Sequence, residues 1–571
     1  MRPAFHSAIA IASVALAATQ IAHPTNQREL LREAERRFPE RGWPRGAGHV
    51  VYAWPGTKEE QKGYAEPGGS FSPVVRSFGV SIEDGDRIPL AQVKQRFAWV
   101  TGEAMPVLVT ETTKFESHLL CDRPGHWTDL VFRKDGRPVN VAIRSVGPAG
   151  GPIRSLQNIH GRLLIDDRWI VRFDPPPRAV RVFEEGPSDE GWWRADVTLA
   201  PKATLEINDP EMGAVETLPF SVVRARVKVH DPQMQDALDA EVAHLMMSLV
   251  GKQTRAADPL MYPFAWLTDG AYVVVALARA GQVDTAKQLA LFFAQHDFFG
   301  GLGSEADGPG LALWAIGETA DVAHSHGFDA QVWDSLERKA KLIVAMRHAT
   351  GPMKQSHYGS VVPSAAGKPG LDLICEAAHD GLIAGKGSLL YVNAVSFLGL
   401  NEAARMAKRQ GRSDLATSWL REARAIREAW SRTLSTAMRT RETEDDRTFT
   451  SALWPSHVGD GDFEVLRPLF EAQWKKRRTT DGGFREWPIR TYFDVAEAHN
   501  WLRLGNRERA AETLHWLFEN QSSPGLYTWW ESGSEDDSFH RWDDVRGWAH
   551  AKNVTPHYWT AAEMVLLQLE L

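Results

Sequence analysis

Carboxylates and indoles gather where loops enter helices. Trp266 and Asp269 stand just ahead of the apolar run 271–280, and Glu305 and Asp307 ahead of the run that begins at Pro309. Glu376, with His379 three residues on, precedes the apolar stretch from 389. Trp529, Trp530 and Glu531 lie in a long loop before the last apolar run, which carries Trp559 and Glu563. Such a set suits cleavage of a glycosidic bond. One carboxylic acid must protonate the leaving oxygen, and a second carboxylate must activate water or attack the sugar. The acid needs a raised pKa, which apolar surroundings supply. Glu376, among Ile374, Cys375, Ala377 and Ala378, suits the acid. Glu531, near Glu535, Asp536 and Asp537, suits a base that stays ionised, with Glu535 as the alternative. Indoles have flat apolar faces and a polar edge, as sugar rings require. Trp266, Trp529, Trp530 and Trp559, with Asp269, Glu305, Asp307 and His379, are therefore the candidate substrate ligands. Plainer readings stand beside these. Asp269 and Asp307 fit helix N-caps; Glu305 and Glu531 fit solvated loop acids; Glu376 fits a partner for Lys368 or Lys386; His379 fits a surface histidine.

The elements that hold these groups can be read from pattern. A chain of 571 residues suggests two or three domains, and 43% hydrophobic with 24% charged residues fits a folded globular class. A net charge of −8 argues against a nucleic-acid partner held through phosphates. Arg2, the short apolar run 8–18 and small residues at 15–22 predict a signal peptide over 1–22 and a periplasmic or secreted protein. A buried N-terminal helix is the other reading. No later run has the length of a transmembrane helix, so no membrane insertion is expected. Two cysteines, Cys121 and Cys375, make no disulfide framework or cysteine zinc site. With no metal or phosphate-loop motif, no cofactor is expected.

From 48 to 230 the pattern predicts strands, at 48–54, 107–121, 129–133, 139–146, 162–173, 179–184, 192–199 and 220–230. Asp135-Gly136 predicts a hairpin. Many short strands suggest a large β-sandwich. At Asp231-Pro232 the pattern turns helical. Three stretches share one layout: an apolar helix, a turn at Gly281, Gly411 or Gly505, then an amphipathic helix. About eleven or twelve helices predict six hairpins in a toroid. A helical solenoid is the alternative; it requires a fixed period and short loops, against long loops at 351–387 and 525–557.

The runs WLTDGAY and SEADGPGLALWA, a glutamate ahead of an inner helix, a late glutamate loop and PHYWTAAEMVLL, in that order, resemble the bacterial glucoamylase-type glycoside hydrolases. The resemblance implies an N-terminal antiparallel β-sandwich, 23–230, followed by an (α/α)6 six-hairpin barrel, 231–571. It implies an inverting mechanism on a carbohydrate substrate. In that family a Trp and an Arg-Asp pair hold the non-reducing sugar; Trp266 and Asp269 match, and Thr268 stands at the arginine position. The Asn-Asp-Gly-Pro motif is similar to Ala306-Asp307-Gly308-Pro309, the acid segment to Glu376, and the base loop to Trp529-Trp530-Glu531. Two alternatives remain from the residues. A toroidal polysaccharide lyase acting on uronates would use His357-Tyr358, His379, Asn393, His499-Asn500 or His557-Tyr558. A non-catalytic glycan-binding protein would use the same aromatics without paired acids.

Overall fold

The computed structural model describes residues 49–82, 92–145, 151–186, 191–212, 218–259, 262–297, 305–354, 373–384, 389–440, 451–480, 483–485, 490–531 and 555–571. The segment 1–22, His357, Tyr358 and Glu535 lie outside these residues.

Two antiparallel sheets form the N-terminal part. One runs in the order Val50–Val51, Tyr64–Ala65, Phe71–Ser72, Gly79–Ile82, Val139–Arg144, Trp193–Leu199, Ala179–Glu184. The other runs Leu156–Ile159, Arg162–Ile165, Trp169–Asp174, Lys202–Asn208, His126–Arg133, Phe115–Arg123, Val107–Glu111, Lys94–Ala98. Alternate residues of Phe115–Arg123 are buried, as the two-residue period of a half-buried strand requires. Several sequence expectations change here. The runs 107–121 and 162–173 are each two antiparallel strands, Val107–Glu111 with Phe115–Arg123 and Arg162–Ile165 with Trp169–Asp174. Asp135-Gly136 joins strands of different sheets, so it is an arch between layers and not a hairpin. Residues 220–230 form no strand. Their alternation reflects an apolar side laid on the barrel, where Gln282 donates to the carbonyls of Val222 and Arg224 and the Arg226 N–H bonds Ala280 O.

The described residues contain eleven α-helices, all beyond the sandwich: α1 Pro232–Ser248, α2 Leu267–Arg279, α3 Val283–Gln295, α4 Gly308–Ala323, α5 His326–Arg347, α6 Leu389–Arg409, α7 Ser413–Thr440, α8 Phe463–Arg477, α9 Thr491–Arg503, α10 Arg507–Glu519 and α11 Tyr558–Glu570. Asp231 caps α1 by accepting from the Met234 N–H, with Pro232 at the first position. Helices α2, α4, α9 and α11 are buried on nearly all faces and form an inner ring with α6. Their partners α3, α5, α7, α8 and α10 carry polar outer faces. The chain between α7 and α8 is helical at 451–452, and Asn500 of α9 accepts from the Leu453 and Trp454 N–H groups. Gly310 and Gly399 let α4 and α6 meet backbone to backbone; a Cβ on Gly310 would stand 2.4 Å from Val395 O. The last helix, α11, packs on both α1 and α2. That contact closes the ring, which a solenoid never does.

Candidate active site

Carboxylates and aromatic rings gather at the N-terminal ends of the inner helices. Trp266 sits at the N-cap position of α2, partly exposed, with its ring edge-on to Tyr262 at 5.4 Å. Asp269 lies in the first turn of α2 and Asp307 at the N-cap position of α4; both are buried. Amide N–H groups and the helix dipole favour negative charge at both places. Asp307 makes no side-chain cap to its own helix. Its carboxylate instead accepts from Thr268 Oγ1 at 3.1 Å, tying the second hairpin to the first. Glu305 lies one turn ahead, partly buried.

Glu531 joins this group through Tyr262. Tyr262 donates its hydroxyl to Glu531 Oε2 at 2.7 Å across 269 residues of sequence. Burial raises the Glu531 carboxyl above its ordinary range, while the Tyr262 hydroxyl and the charge of Arg490 act in the opposite sense. Burial and the Glu531 charge in turn raise the Tyr262 phenol, which stays protonated. His557 caps α11: its ring accepts from the Thr560 N–H. The cap uses Nδ1, so the ring proton belongs on Nε2, the nitrogen 3.9 Å from Asp269 Oδ1. Burial lowers the His557 pKa to about 3, so this histidine works as a neutral donor. Beneath these groups lies an aromatic floor. Trp559 packs on Tyr272 at 5.1 Å and on Tyr492 at 4.5 Å, and Tyr492 meets the His557 ring at 5.1 Å.

No protein-family model matches the sequence, and no curated protein matches it. Solved structures do match. A bacterial glucoamylase complexed with acarbose aligns over 92% of this chain and 93% of its own, at 9% identity and a TM-score of 0.51. The fold is that of a six-hairpin glycosidase. Also similar are a rhamnosidase from Klebsiella oxytoca with rhamnose bound (11% identity, 95% of this chain and 98% of that one, TM-score 0.42) and a GH92 α-mannosidase from Bacteroides thetaiotaomicron in complex with mannoimidazole (9% identity, 91% and 83%, TM-score 0.41).

In this six-hairpin structure the sequence candidates separate. Trp266, Asp269, Asp307, Trp559 and Glu531 come to the same ends of the inner helices. Trp529 and Trp530 do not offer sugar faces. Both are fully buried in a satellite core with Val495, Leu514, Leu517 and Met564, and Trp529 Nε1 donates to Leu517 O. Their packing, with Thr491 donating to Trp530 O, anchors the backbone from which Glu531 projects. Glu376 differs from its expectation too. Ile374 and Cys375 on the short strand Leu373–Cys375 turn inward, whereas Glu376 just beyond is exposed, so its apolar neighbours do not desolvate it. His379 is also exposed and pairs with Asp380 at 3.2 Å. Cys121 and Cys375 are separate buried thiols.

The lyase set is largely absorbed by structure. Asn393 bonds both backbone groups of Ile383. His499 stacks on Trp454 at 4.0 Å, and Asn500 holds the backbone at 453–454. Among the described residues no cluster of His, Cys, Asp and Glu fits a metal ion, and no helix is long and apolar enough to cross a membrane. Tyr262 and Tyr492 went unnamed among the sequence candidates, and His557 entered only with the lyase alternative. One signal was available: the chain has only 9 tyrosines, and Tyr262, Tyr391, Tyr492 and Tyr558 all fall within a turn of an inner-helix N-terminus or in the loop before it.

Proposed function

We propose that the protein is a glycoside hydrolase that cleaves glycosidic bonds of an oligo- or polysaccharide by inversion, with Glu531 as general base. The observation that carries this reading is the Tyr262–Glu531 hydrogen bond at the mouth of a six-hairpin barrel. A phenol can only donate to a carboxylate oxygen, so it favours the ionised, proton-accepting form. Burial raises the same carboxyl and makes it the stronger base. Glu376 is the acid. It is exposed, on the loop that leads into α6. Trp266 offers its partly exposed ring as a stacking face, while Asp269 and the His557 Nε2–H offer an acceptor and a donor for sugar hydroxyls. The carbohydrate ligand of the matching glucoamylase structure agrees with this substrate class. We also infer export, from the signal-like segment 1–22.

Two variants on a panel of glycans and aryl glycosides test the assignment. Glu376→Gln should lose turnover on natural glycans and keep much of it on a glycoside whose leaving group needs no proton. Glu531→Ala should be inactive on both, with azide restoring formation of a glycosyl azide. NMR of the first-formed product should show the anomer opposite to that of the substrate. Unsaturated uronates among the products would replace the hydrolase reading with a lyase, and full activity of Glu531→Ala would remove that residue from the chemistry.

A further inference from the structure

Asp258 lies outside the groups that face a substrate, yet it is fully buried and every polar end of it is engaged. Its carboxylate belongs to the sandwich side: Tyr64 donates to Oδ1 at 2.7 Å and His49 Nε2 donates to Oδ2 at 3.0 Å. His49 adjoins the edge strand Val50–Val51, and Tyr64 pairs with Val51 on the neighbouring strand. Its backbone belongs to the barrel. The Asp258 N–H bonds Pro556 O at 3.0 Å, immediately before His557. The Asp258 carbonyl accepts from the Tyr262 N–H at 2.9 Å and so holds the Tyr262 backbone. An Ala257–His557 bridge and the Tyr558 N–H on Ala256 O continue the same seam.

One residue therefore fixes both sides of the mouth. Through Tyr262 it sets the hydroxyl on Glu531; through Pro556 it sets the His557 ring opposite Asp269. A buried carboxylate with two donors is worth far more than an exposed one, and removing one donor leaves the charge under-solvated. No substrate need touch it.

We propose that Asp258 is a positioning residue through which the His49–Tyr64 edge of the β-sandwich sets the Tyr262–Glu531 pair in the barrel. The sandwich is then part of the catalytic apparatus and more than an appended domain. The inference rests on the hydrolase reading for its kinetic part and on geometry alone for its structural part.

The test uses the full chain with Tyr64→Phe, Asp258→Asn, Tyr262→Phe and the double variant Tyr64→Phe/Tyr262→Phe. Hydrogen exchange read by mass spectrometry should show faster exchange in peptides spanning 255–262 and 555–558 in Asp258→Asn, and a smaller rise in Tyr64→Phe. In kinetics, Tyr64→Phe should lower kcat at least fivefold with KM within twofold. It should also move the acid limb of the pH–rate profile in the direction that Tyr262→Phe does. Added to Tyr262→Phe it should lower kcat by less than twofold further, because both act through one hydrogen bond. Unchanged exchange in both peptides overturns the clamp. Multiplying losses in the double variant overturn the route through Tyr262, even if Asp258→Asn folds poorly. Altered exchange in a protein that hydrolyses no glycan of the panel would keep the clamp and sink the hydrolase assignment alone.

Discussion

Tyr262→Phe is the most informative single change. The ring keeps its volume and its edge contact with Trp266, so no cavity opens. What goes is one 2.7 Å donor to Glu531. A hydrogen bond to a charged group contributes about 1.5–3 kcal/mol, equivalent to roughly 10- to 150-fold in an equilibrium or a rate. Two consequences of that loss oppose each other. The ionised carboxylate loses stabilisation, so its proton affinity rises and each correctly placed base becomes stronger. The carboxylate also loses its tether, and an error of about 1 Å in placement costs on the order of 100-fold. A raised proton affinity returns only part of its free energy as rate, so placement wins. The expected result is a fall in kcat of about tenfold or more with KM little changed. The sign for pH follows from the same bond. Removing a donor to the ionised form lifts the Glu531 pKa beyond where burial already holds it, so the acid limb of kcat/KM moves towards neutral pH. Rates from pH 3 to 9 on a soluble glycoside, with circular dichroism to confirm the fold, measure both. An acid limb that stays put, or moves to lower pH, refutes the role given to this bond.

Trp266→Ala removes the one candidate indole with an open face. KM should rise about tenfold, the worth of a stacked ring, with a smaller change in kcat; an unchanged KM would exclude stacking there. Trp529→Ala should act through stability, lowering the unfolding free energy in urea by about 3–5 kcal/mol, because the indole is fully buried among core side chains; loss of activity in a variant of unaltered stability would return Trp529 to the cleft. Glu563 gives a pH test. Burial pushes its carboxyl up to about 8, and Trp454 Nε1 donates to it at 2.9 Å. A raised carboxyl favours the fold while neutral, so its contribution is whole below the ordinary range near 4.5 and is lost as pH climbs through about 8. Glu563→Gln keeps an acceptor for Trp454 and removes the titration; the fall in Tm between pH 5 and 9 should flatten, and an unchanged slope would assign that fall to other groups.

The hairpins were legible because their signals are local. A glycine past three of the inner helices, a polar cap and an apolar stripe sit within one turn of each other, at Gly281, Gly411 and Gly505, where φ is +88°, +71° and +80°. Trp266, Asp269 and Asp307 were legible for a related reason: in a closed ring the N-terminal ends of the inner helices point one way, so acids there share a mouth. What failed was any inference from chain neighbours to surroundings. Trp529 and Trp530 lie near Gly and Ser in sequence, but Val495, Leu514 and Met564 from three helices bury them. Glu376 has apolar neighbours in sequence, but Ile374 and Cys375 point inward and leave it outside. Residues 220–230 alternate as a strand would, yet their backbone partners are scattered: the Gln282 and Gln235 side chains, Ala104 O and Ala280 O at the end of α2. The Tyr262–Glu531 bond spans 269 residues, and no pattern within either loop announces it.

Thr268 joins these points. The family resemblance places an arginine there, and the sequence offers a hydroxyl. In the structure that hydroxyl is buried and committed to Asp307, so no guanidinium stands at this position to grip a sugar hydroxyl or carboxylate. On the proposed reading, recognition at this position falls to carboxylate acceptors, Asp269 above all, and to the neutral His557 Nε2–H facing it. A donor that stays uncharged across the working pH range holds a hydroxyl without attracting anions. On the proposed reading, the innermost position therefore suits a neutral sugar over a uronate, and a glycan panel that includes matched neutral and uronic substrates would show the preference as a difference in KM.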